Sequence, residues 1–264
     1  MSHRQGFTLV ELSMVMVIIG LIAAGILVGR DLIEAAYIRA QVAQIEKLNT
    51  AVNTFKGKYN GLPGDLSADD AATLGMAARS GGVGDGDNNG IIGTCGFDGL
   101  GGRYSGCENV IFWNDLGVAQ LIAPDFPADA TFPANPTGMD TSLFFPAGKV
   151  GKNTQIMVFS IDGVNAFALV HPGYVGNNQI WAAPVLSPLQ AFAIDNKMDD
   201  GLPTSGRVTG SAEGINSIET DLGSFSDNLL GGGPYCMLNV EPVIYNTKGS
   251  DANKPLCIMN MNFQ

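Results

Sequence analysis

The sequence predicts an α+β protein in which one long N-terminal helix packs against an antiparallel β-sheet. Residues 7–28 form an almost unbroken apolar run, and a stripe of apolar residues with helical spacing extends it to residue 59. From residue 60 onward, short apolar segments recur between turns that are rich in Gly, Asn and Pro. One long helix followed by short, turn-bounded strands is typical of an α+β fold with an antiparallel sheet.

The apolar run from Phe7 to Val28 has the length of a membrane-spanning helix. It would extend about 33 Å, which is enough to cross the hydrocarbon core of a bilayer. Arg4 and Arg30 flank the run, and no small-residue cleavage site of the secretory type follows it. The single charged residue inside the run is Glu11, whose carboxylate is costly in hydrocarbon unless it is paired. A simple membrane anchor therefore does not account for Glu11.

After Gly29 the apolar residues keep helical spacing but occupy one face. They follow one another at intervals of three or four positions, as in the buried stripe of an amphipathic helix: Ile38, Val42, Ile45, Leu48, Val52, Phe55 and Tyr59. Gly57 and the turn sequence NGLPGD at 60–65 predict the end of the helix. We therefore expect the second half of the helix to pack on a globular domain.

The globular part contains two strong local signals. Two apolar runs on either side of Asp162-Gly163 predict a β-hairpin, because this dipeptide favours a two-residue turn. Ser187 as N-cap and Pro188 at the first helical position predict a helix of about ten residues. The remaining expectations are a short buried helix at 110–123, short strands at 235–245 and 255–263, and irregular loops at 80–106 and 124–153.

Neither the charge nor the motifs predict a nucleic-acid-binding protein or an enzyme. The net charge is −11, and the basic residues are scattered singly, which disfavours binding to a polyanion. The chain has two histidines, His3 and His171, and it lacks C-x-x-C, G-x-S-x-G, P-loop and G-x-G-x-x-G sequences. We therefore expect no catalytic residues.

The four cysteines fall into two pairs that are close in sequence. If the globular part is exported, the simplest disulfides are Cys95–Cys107 and Cys236–Cys257, one of three possible connectivities. Closing loops of this size stabilises a protein by roughly 3 kcal/mol each. Free buried thiols are the alternative.

The segment DGDNNGII at 85–92 resembles the first half of an EF-hand calcium loop. Oxygen ligands alternate, and a glycine and an apolar anchor follow them: Asp85, Asp87, Asn89, Gly90 and Ile92. The twelfth position is Gly96, where a bidentate glutamate belongs, and Asp98 or Glu108 could take its place. The calcium ligands predicted from the sequence are therefore Asp85, Asp87, Asn89 and Asp98. The alternative is a turn that binds nothing.

A second acidic cluster comprises Asp195, Asp199 and Asp200. Asp195 and Asp199 are one helical turn apart, but the cluster lacks the alternating aspartates of a calcium loop. The favoured interpretation is a solvated helix end followed by an Asp-Gly turn.

The N-terminal stretch GFTLVELSMVMVIIGLIAAGIL resembles the prepilin signal shared by type IV pilins and by the pseudopilins of type II secretion. The resemblance implies that a prepilin peptidase cleaves after Gly6 on the cytoplasmic side and N-methylates Phe7, which makes Glu11 the fifth mature residue. The implied organisation is a leader at 1–6, a transmembrane assembly helix at 7–29, an amphipathic continuation at 30–59 and a head at 60–264.

The resemblance also implies a role for Glu11. Cleavage creates an α-ammonium group on Phe7, and two opposite charges in a low dielectric attract strongly. The amine at the first position and the carboxylate at the fifth are one helical turn apart, so they could pair within one chain. In the family the carboxylate is thought to meet the amine of a neighbouring subunit and to set the axial register. Both pairings remain open at this point.

The implied function is a structural filament subunit that assembles from the inner membrane, with its head in the periplasm. Its implied partners are the prepilin peptidase, like pilin or pseudopilin subunits and the inner membrane. The alternative is a membrane-anchored adhesin that uses the same processing. Calcium is the one cofactor that the sequence suggests, and the head shows no sign of nucleic-acid binding. A mature chain of 258 residues (264 less the six-residue leader) is long for a major pilin, and Glu11 departs from the large minor pseudopilins, which usually lack it.

Overall fold

The computed structural model describes residues 8–79, 85–93, 108–123, 126, 141–161, 163–175, 179–211, 236–238, 240–248 and 250–263. These residues form the predicted α+β fold, with a long helix packed on an antiparallel sheet. The helices are α1 (Leu9–Tyr59), α2 (Ala68–Leu74), α3 (Glu108–Val118) and α4 (Pro188–Met198). The strands are β1 (Gln155–Ile161), β2 (Val164–Val175), β3 (Gln179–Ala183), β4 (Val208–Ser211), β5 (Met237–Leu238), β6 (Ile244–Tyr245) and β7 (Ile258–Asn262).

Helix α1 is a single helix of 51 residues, about 77 Å long. The side chains from Thr8 to Tyr37 are exposed, apart from partly exposed Gly29 and Ala35. The buried face begins at Ile38, where the head starts to cover the helix. Asn60 ends the helix with a positive φ of 54° and donates its N–H to the carbonyl of Lys56. The helix is thus exposed up to Tyr37 and buried along one face from Ile38 onward, and its division at residue 29 stays a prediction.

The main sheet has the strand order β1-β2-β7-β4, and β3 pairs with the far part of β2. All of these pairings are antiparallel. Ile161 pairs with Val164, so two residues connect β1 to β2, as the Asp162-Gly163 dipeptide predicts. A separate pair, β5 and β6, lies beside α4. The predicted strands near 235–245 and 255–263 are confirmed as β5, β6 and β7.

The core lies between the buried face of α1, helices α3 and α4, and the main sheet. Aromatic rings fill its centre. The ring centroid of Phe167 in β2 lies 6.1 Å from the ring centroids of Phe112 and Trp113 in α3, and 4.5 Å from that of Phe263. Burying each such side chain stabilises the fold by about 1.5–3 kcal/mol relative to leaving it in water. The core therefore joins the middle of the sheet to α3.

The two predicted head helices are confirmed. Helix α4 starts with a capping box, in which Ser187 accepts the N–H of Gln190 and Gln190 accepts the N–H of Ser187. Helix α3 begins two residues before the predicted 110–123 segment and ends at Val118. Four elements are absent from the predictions made from the sequence: α2, β3, β4 and the short 3-10 turn at Thr141–Leu143.

A buried ion pair joins the segment after α1 to helix α3. Arg79 donates from Nη2 and Nη1 to the Asp115 carboxylate at 2.9 and 3.3 Å, and both side chains are fully buried. Asp115 also accepts the N–H of Gly64 at 2.7 Å, and Arg79 donates to the Gly64 carbonyl at 3.0 Å. Burial raises the pKa of Asp115, and the Arg79 guanidinium opposes that rise.

Candidate functional site

The N-terminus of α1 is closed by a capping box that includes Glu11. The Glu11 Oε2 atom accepts the backbone N–H and the hydroxyl of Thr8, both at 2.8 Å, and the Thr8 hydroxyl accepts the Glu11 N–H at 3.2 Å. Such a box satisfies N–H groups that have no partner inside the helix. The Thr8-to-Glu11 spacing is the capping-box pattern, so the sequence itself carries a signal for this contact, which the predictions above do not include.

The helix that carries Glu11 has the exposure expected of a membrane anchor. Among the described residues, α1 is the one helix that is long and apolar enough to cross a membrane. A stretch of 18 residues within it has a mean hydropathy of 2.6, and no residue of that stretch is buried. Large apolar side chains such as Leu9, Leu21 and Leu32 are more than half exposed on this part of α1. A packed soluble core does not account for so much exposed apolar surface.

Gly6 and Phe7 lie outside the described residues. The cleavage after Gly6, the methylation of Phe7 and the pairing of Glu11 with the Phe7 amine therefore stay predictions. Within the described residues, Glu11 has a partner in its own chain, which is Thr8.

A second candidate site lies in the head, where three carboxylates meet. Oxygen atoms of Asp65, Asp87 and Glu108 lie within 4.8 Å of one another. Asp65 follows the end of α1, Asp87 lies in the 85–93 loop, and Glu108 begins α3. Asp87 belongs to the set predicted from the sequence, and Glu108 had been named as a substitute ligand. Asp65 was missed, because it lies 22 positions before Asp87 in the chain.

The other predicted ligands do not join this cluster within the described residues. The Asn89 side chain donates to Asp87 at 2.9 Å and accepts the N–H of Ile91 at 2.7 Å, so its amide stabilises the loop. Asp85 is half-buried in the same loop and is not part of the three-carboxylate group. Asp98 lies outside the described residues.

Backbone N–H groups of the 85–93 loop surround the carboxylates. Asp65 accepts those of Asn89 and Gly90 at 3.1 and 2.8 Å. Glu108 accepts the N–H groups of three loop residues, at 2.9, 3.4 and 2.5 Å: Gly86, Asp87 and Gly93. A carboxylate has about four acceptor positions, so both side chains keep capacity for a further partner.

The buried position of these carboxylates opposes their ionisation. Burial raises the pKa of Asp65 to about 6, and the N–H groups of Gly90 and Asn89 oppose that rise. Burial likewise raises the pKa of Glu108 to about 7, with the neighbouring charges of Asp65 and Asp87 adding to the rise. A cation in this cluster would offset the repulsion between three carboxylates.

Asn165 of β2 fixes the acidic loop to the sheet. Its side chain accepts the N–H of Ile92 at 2.7 Å and donates to the carbonyl of Gly90 at 2.9 Å. Ile92 is buried in the core next to this contact. The apolar anchor that the sequence predicted at position 92 is therefore present, and Asn165 is its polar counterpart.

The Asp195, Asp199 and Asp200 cluster closes the C-terminal end of α4. Asp195 is buried and accepts the Tyr245 hydroxyl at 2.8 Å and the Gly201 N–H at 3.1 Å. Burial raises its pKa to about 6. Asp199 accepts the N–H groups of Arg207 and Val208, and Asp200 is exposed. Asp199 and Asp200 match the predicted solvated helix end, whereas Asp195 joins α4 to β6.

A disulfide joins Cys236 to Cys257, as expected, with a sequence separation of 21. Cys257 is buried next to Leu186, whose carbonyl accepts its N–H at 2.8 Å. The bridge therefore ties the β5–β6 pair to the start of β7. Cys95 and Cys107 lie outside the described residues.

Comparison with known proteins gives one match. Residues 1–27 match the family model described as the prokaryotic N-terminal methylation motif. No curated protein and no solved structure matches the chain. The match covers the residues that precede and begin α1. The first 27 residues of this chain thus carry the prokaryotic N-terminal methylation motif, the signal of type IV pilins and pseudopilins.

Proposed function

We propose that this chain is a structural subunit of a type IV pilus-like filament or of a type II secretion pseudopilus. The observation that carries the proposal is the methylation motif at residues 1–27, whose exposed apolar part of α1 contains one carboxylate, Glu11, in the first turn of the helix. In this function, the prepilin peptidase cleaves after Gly6, and the mature chain waits in the inner membrane. Its α1 helix then leaves the lipid and joins a bundle of like helices. Repeated head-to-tail contacts between identical chains produce an open filament.

The capping box refines the role of Glu11. Before assembly, Thr8 supplies two donors to the carboxylate, so Glu11 is already hydrogen-bonded in its own chain. Cleavage after Gly6 adds a charged amine on the residue next to Thr8. A charge-assisted hydrogen bond is stronger than a neutral one, so the amine of Phe7, in the same chain or the next, competes with Thr8 for the carboxylate. The hydrogen-bond partner of Glu11 therefore differs between the uncleaved and the cleaved chain.

Mass spectrometry of the mature protein tests the processing step. We expect a chain that begins at methyl-Phe7, because the motif places the cut after Gly6. An intact Met1 or a cut beyond residue 20 contradicts the proposal.

Filament yield in the presence of the assembly machinery tests the role of Glu11. Glu11→Ala should leave membrane insertion intact and sharply reduce filaments. Thr8→Ala is the matched variant, because it removes the partner of Glu11 while it keeps the charge, and we expect it to retain filaments. Wild-type yield from Glu11→Ala would remove the assigned role.

We also propose that the head lies on the periplasmic side. The disulfide between Cys236 and Cys257 supports this side, since disulfides persist in the oxidising periplasm. Protease added to spheroplasts should degrade the head, while protease added to inverted membrane vesicles should leave it intact. Protection in spheroplasts contradicts the orientation.

Calcium is the second proposal for the head. Asp65, Asp87 and Glu108 offer hard oxygen ligands of the kind that calcium prefers, on three separate segments of the chain. Bound calcium should raise the melting temperature of the full chain in detergent, and EDTA should reverse the rise. Glu108→Gln should abolish the shift, and Asp69→Asn, an exposed carboxylate outside the cluster, should keep it. If magnesium raises the melting temperature equally, or if neither ion changes it, the three carboxylates serve only to hold the 85–93 loop in place through their hydrogen bonds.

A further inference from the structure

The two ends of the head differ in charge. We define the near end as the 147–153 loop, which contacts α1 where the head first covers the helix. Gln41 accepts the N–H groups of Lys149 and Val150 at 2.6 and 3.3 Å, and Gln44 donates to the Ala147 carbonyl at 2.9 Å. Gln41 is fully buried although it is polar. These contacts fix the loop at the membrane-facing part of the head.

The near end carries exposed cations without partners among the described residues. Lys149 and Lys152 lie in the loop, Arg39 lies two positions before Gln41, and all three side chains are exposed. The ion pairs between described residues are Arg79–Asp115 and Lys254–Asp251, so none of these cations is engaged. Their charge therefore faces solvent.

The far end of the head is acidic. It lies where α1 stops, about 27 Å along the helix axis from Gln41. Helix α2 begins there and carries Asp69 and Asp70 in its first turn, both exposed. The Asp65, Asp87 and Glu108 cluster belongs to the same segments of the chain, but Asp65 and Glu108 are buried, so the exposed charge considered for docking is that of Asp69 and Asp70. Two exposed lysines, Lys56 and Lys58, lie in the last turn of α1.

We propose that the near end of one head docks on the far end of another copy of this chain, with Lys149 and Lys152 facing Asp69 and Asp70. The inference rests on the proposed filament. When parallel copies are displaced along the axis of α1, the near end of the upper copy faces the far end of the lower one. The chain has a net charge of −11, so copies repel each other in general. Complementary ends select the one axial displacement at which this repulsion becomes attraction.

A charge exchange in the full chain, assembled by its machinery and collected as sheared filaments, tests the docking. Lys149→Glu combined with Lys152→Glu should reduce filament yield at least about tenfold, because it sets like charges against each other. Asp69→Lys alone should also reduce the yield. Asp69→Lys added to the two lysine substitutions should restore filaments in part, since opposite charges then face each other again in one of the two pairs.

The matched control is Lys56→Glu with Lys58→Glu, which makes the same change in net charge at the far end and should keep the wild-type yield. Each variant should keep the wild-type melting temperature, since every altered side chain is exposed. If the wild type forms filaments and Lys149→Glu with Lys152→Glu leaves the filament yield unchanged, the docking is overturned but the proposed function is not. A loss that Asp69→Lys does not restore also overturns it, and points to anionic lipid headgroups as the partner of the near end. Wild-type chains that form no filament contradict the proposed function as well.

Discussion

The guanidinium of Arg79 makes two hydrogen bonds to the carboxylate of Asp115 inside the head, where both side chains are fully buried. This pair fixes the segment that follows α1 to helix α3. It also completes the hydrogen bonding of Gly64, whose N–H and carbonyl both bind the pair. The two residues are 36 positions apart, and the 85–93 loop lies between them in the sequence.

Removing one partner of this pair should be more harmful than replacing both. Arg79→Met leaves a buried carboxylate without its cation, which typically costs about 3–5 kcal/mol. Arg79→Met combined with Asp115→Asn keeps an acceptor for the Gly64 N–H and removes the charge, so it should recover part of the loss. Denaturant unfolding of the full chain in detergent measures both variants. A double variant less stable than Arg79→Met would contradict this account.

Gly64→Ala should destabilise the head far more than Gly75→Ala. Both glycines have positive φ angles, 87° and 70°, at which a side chain is strained. A Cβ at Gly64 would also collide with the carbonyl oxygen of Glu108, whereas a Cβ at Gly75 would meet open space. We expect Gly75→Ala to lower the free energy of unfolding by about 1 kcal/mol and Gly64→Ala to lower it by several times as much. Denaturant unfolding of the two variants measures both values. Equal losses of stability in the two variants would show that the segment containing Gly64 can move away from α3 without loss of stability.

The stability of the head should fall as the pH rises from about 4.5 to 7 in the presence of EDTA. The folded-state pKa values of Glu108, about 7, and Asp65, about 6, lie above the ordinary values of 4.5 and 3.8. In that window the folded state binds more protons than the unfolded state, so raising the pH favours unfolding. The slope contributed by each group is at most about 1.4 kcal/mol per pH unit.

Glu108→Gln tests the origin of this pH dependence. It should flatten the plot of melting temperature against pH, while Asp69→Asn, an exposed control, should leave the slope unchanged. An identical slope in wild type and Glu108→Gln would assign the pH dependence to other groups, of which Asp195 is the first to examine, since its pKa is also raised to about 6.

The Cys236–Cys257 disulfide should contribute about 3 kcal/mol to the stability of the head, given the 21-residue separation that it closes. Replacing both cysteines with alanine should lower the midpoint of denaturant unfolding by a corresponding amount. In a Cys95→Ala, Cys107→Ala background, dithiothreitol should reproduce the loss, and it should have no further effect once Cys236 and Cys257 are also replaced. If reduction of the disulfide leaves the midpoint of denaturant unfolding unchanged, the β5–β6 pair is held by its other contacts.

Local signals made much of the fold predictable. Helix α4 was found because Ser187 and Pro188 are adjacent, and the β1–β2 hairpin because two apolar runs flank one favourable dipeptide. Strand β4, with four residues, was missed because it is defined by pairing with β7, some 50 positions later. Gln41 was missed for a similar reason, since a glutamine on an apolar stripe is buried only because the Lys149 and Val150 amides reach it.

The same distinction applies to the sites. The methylation motif was predictable, because it is contiguous in sequence, while the assembly role of Glu11 stays a prediction. The head cluster was predictable only for Asp87 and, as a substitute ligand, Glu108. Asp65 comes from a turn that local patterns do not connect to the 85–93 loop, and Asn165 reaches the loop from the sheet.

The position of β7 affects the order in which the head can fold during export. Of the described strands, β7 is the last to be synthesised, yet it lies between β2 and β4. In the proposed periplasmic orientation, the head crosses the membrane after α1 has inserted. The β1–β2 hairpin can then form early, but the edges of β2 and β4 that face β7 stay open until residue 262 has emerged. Open edges attract other chains, so in that orientation the head is protected from such pairing only when β7 has crossed the membrane.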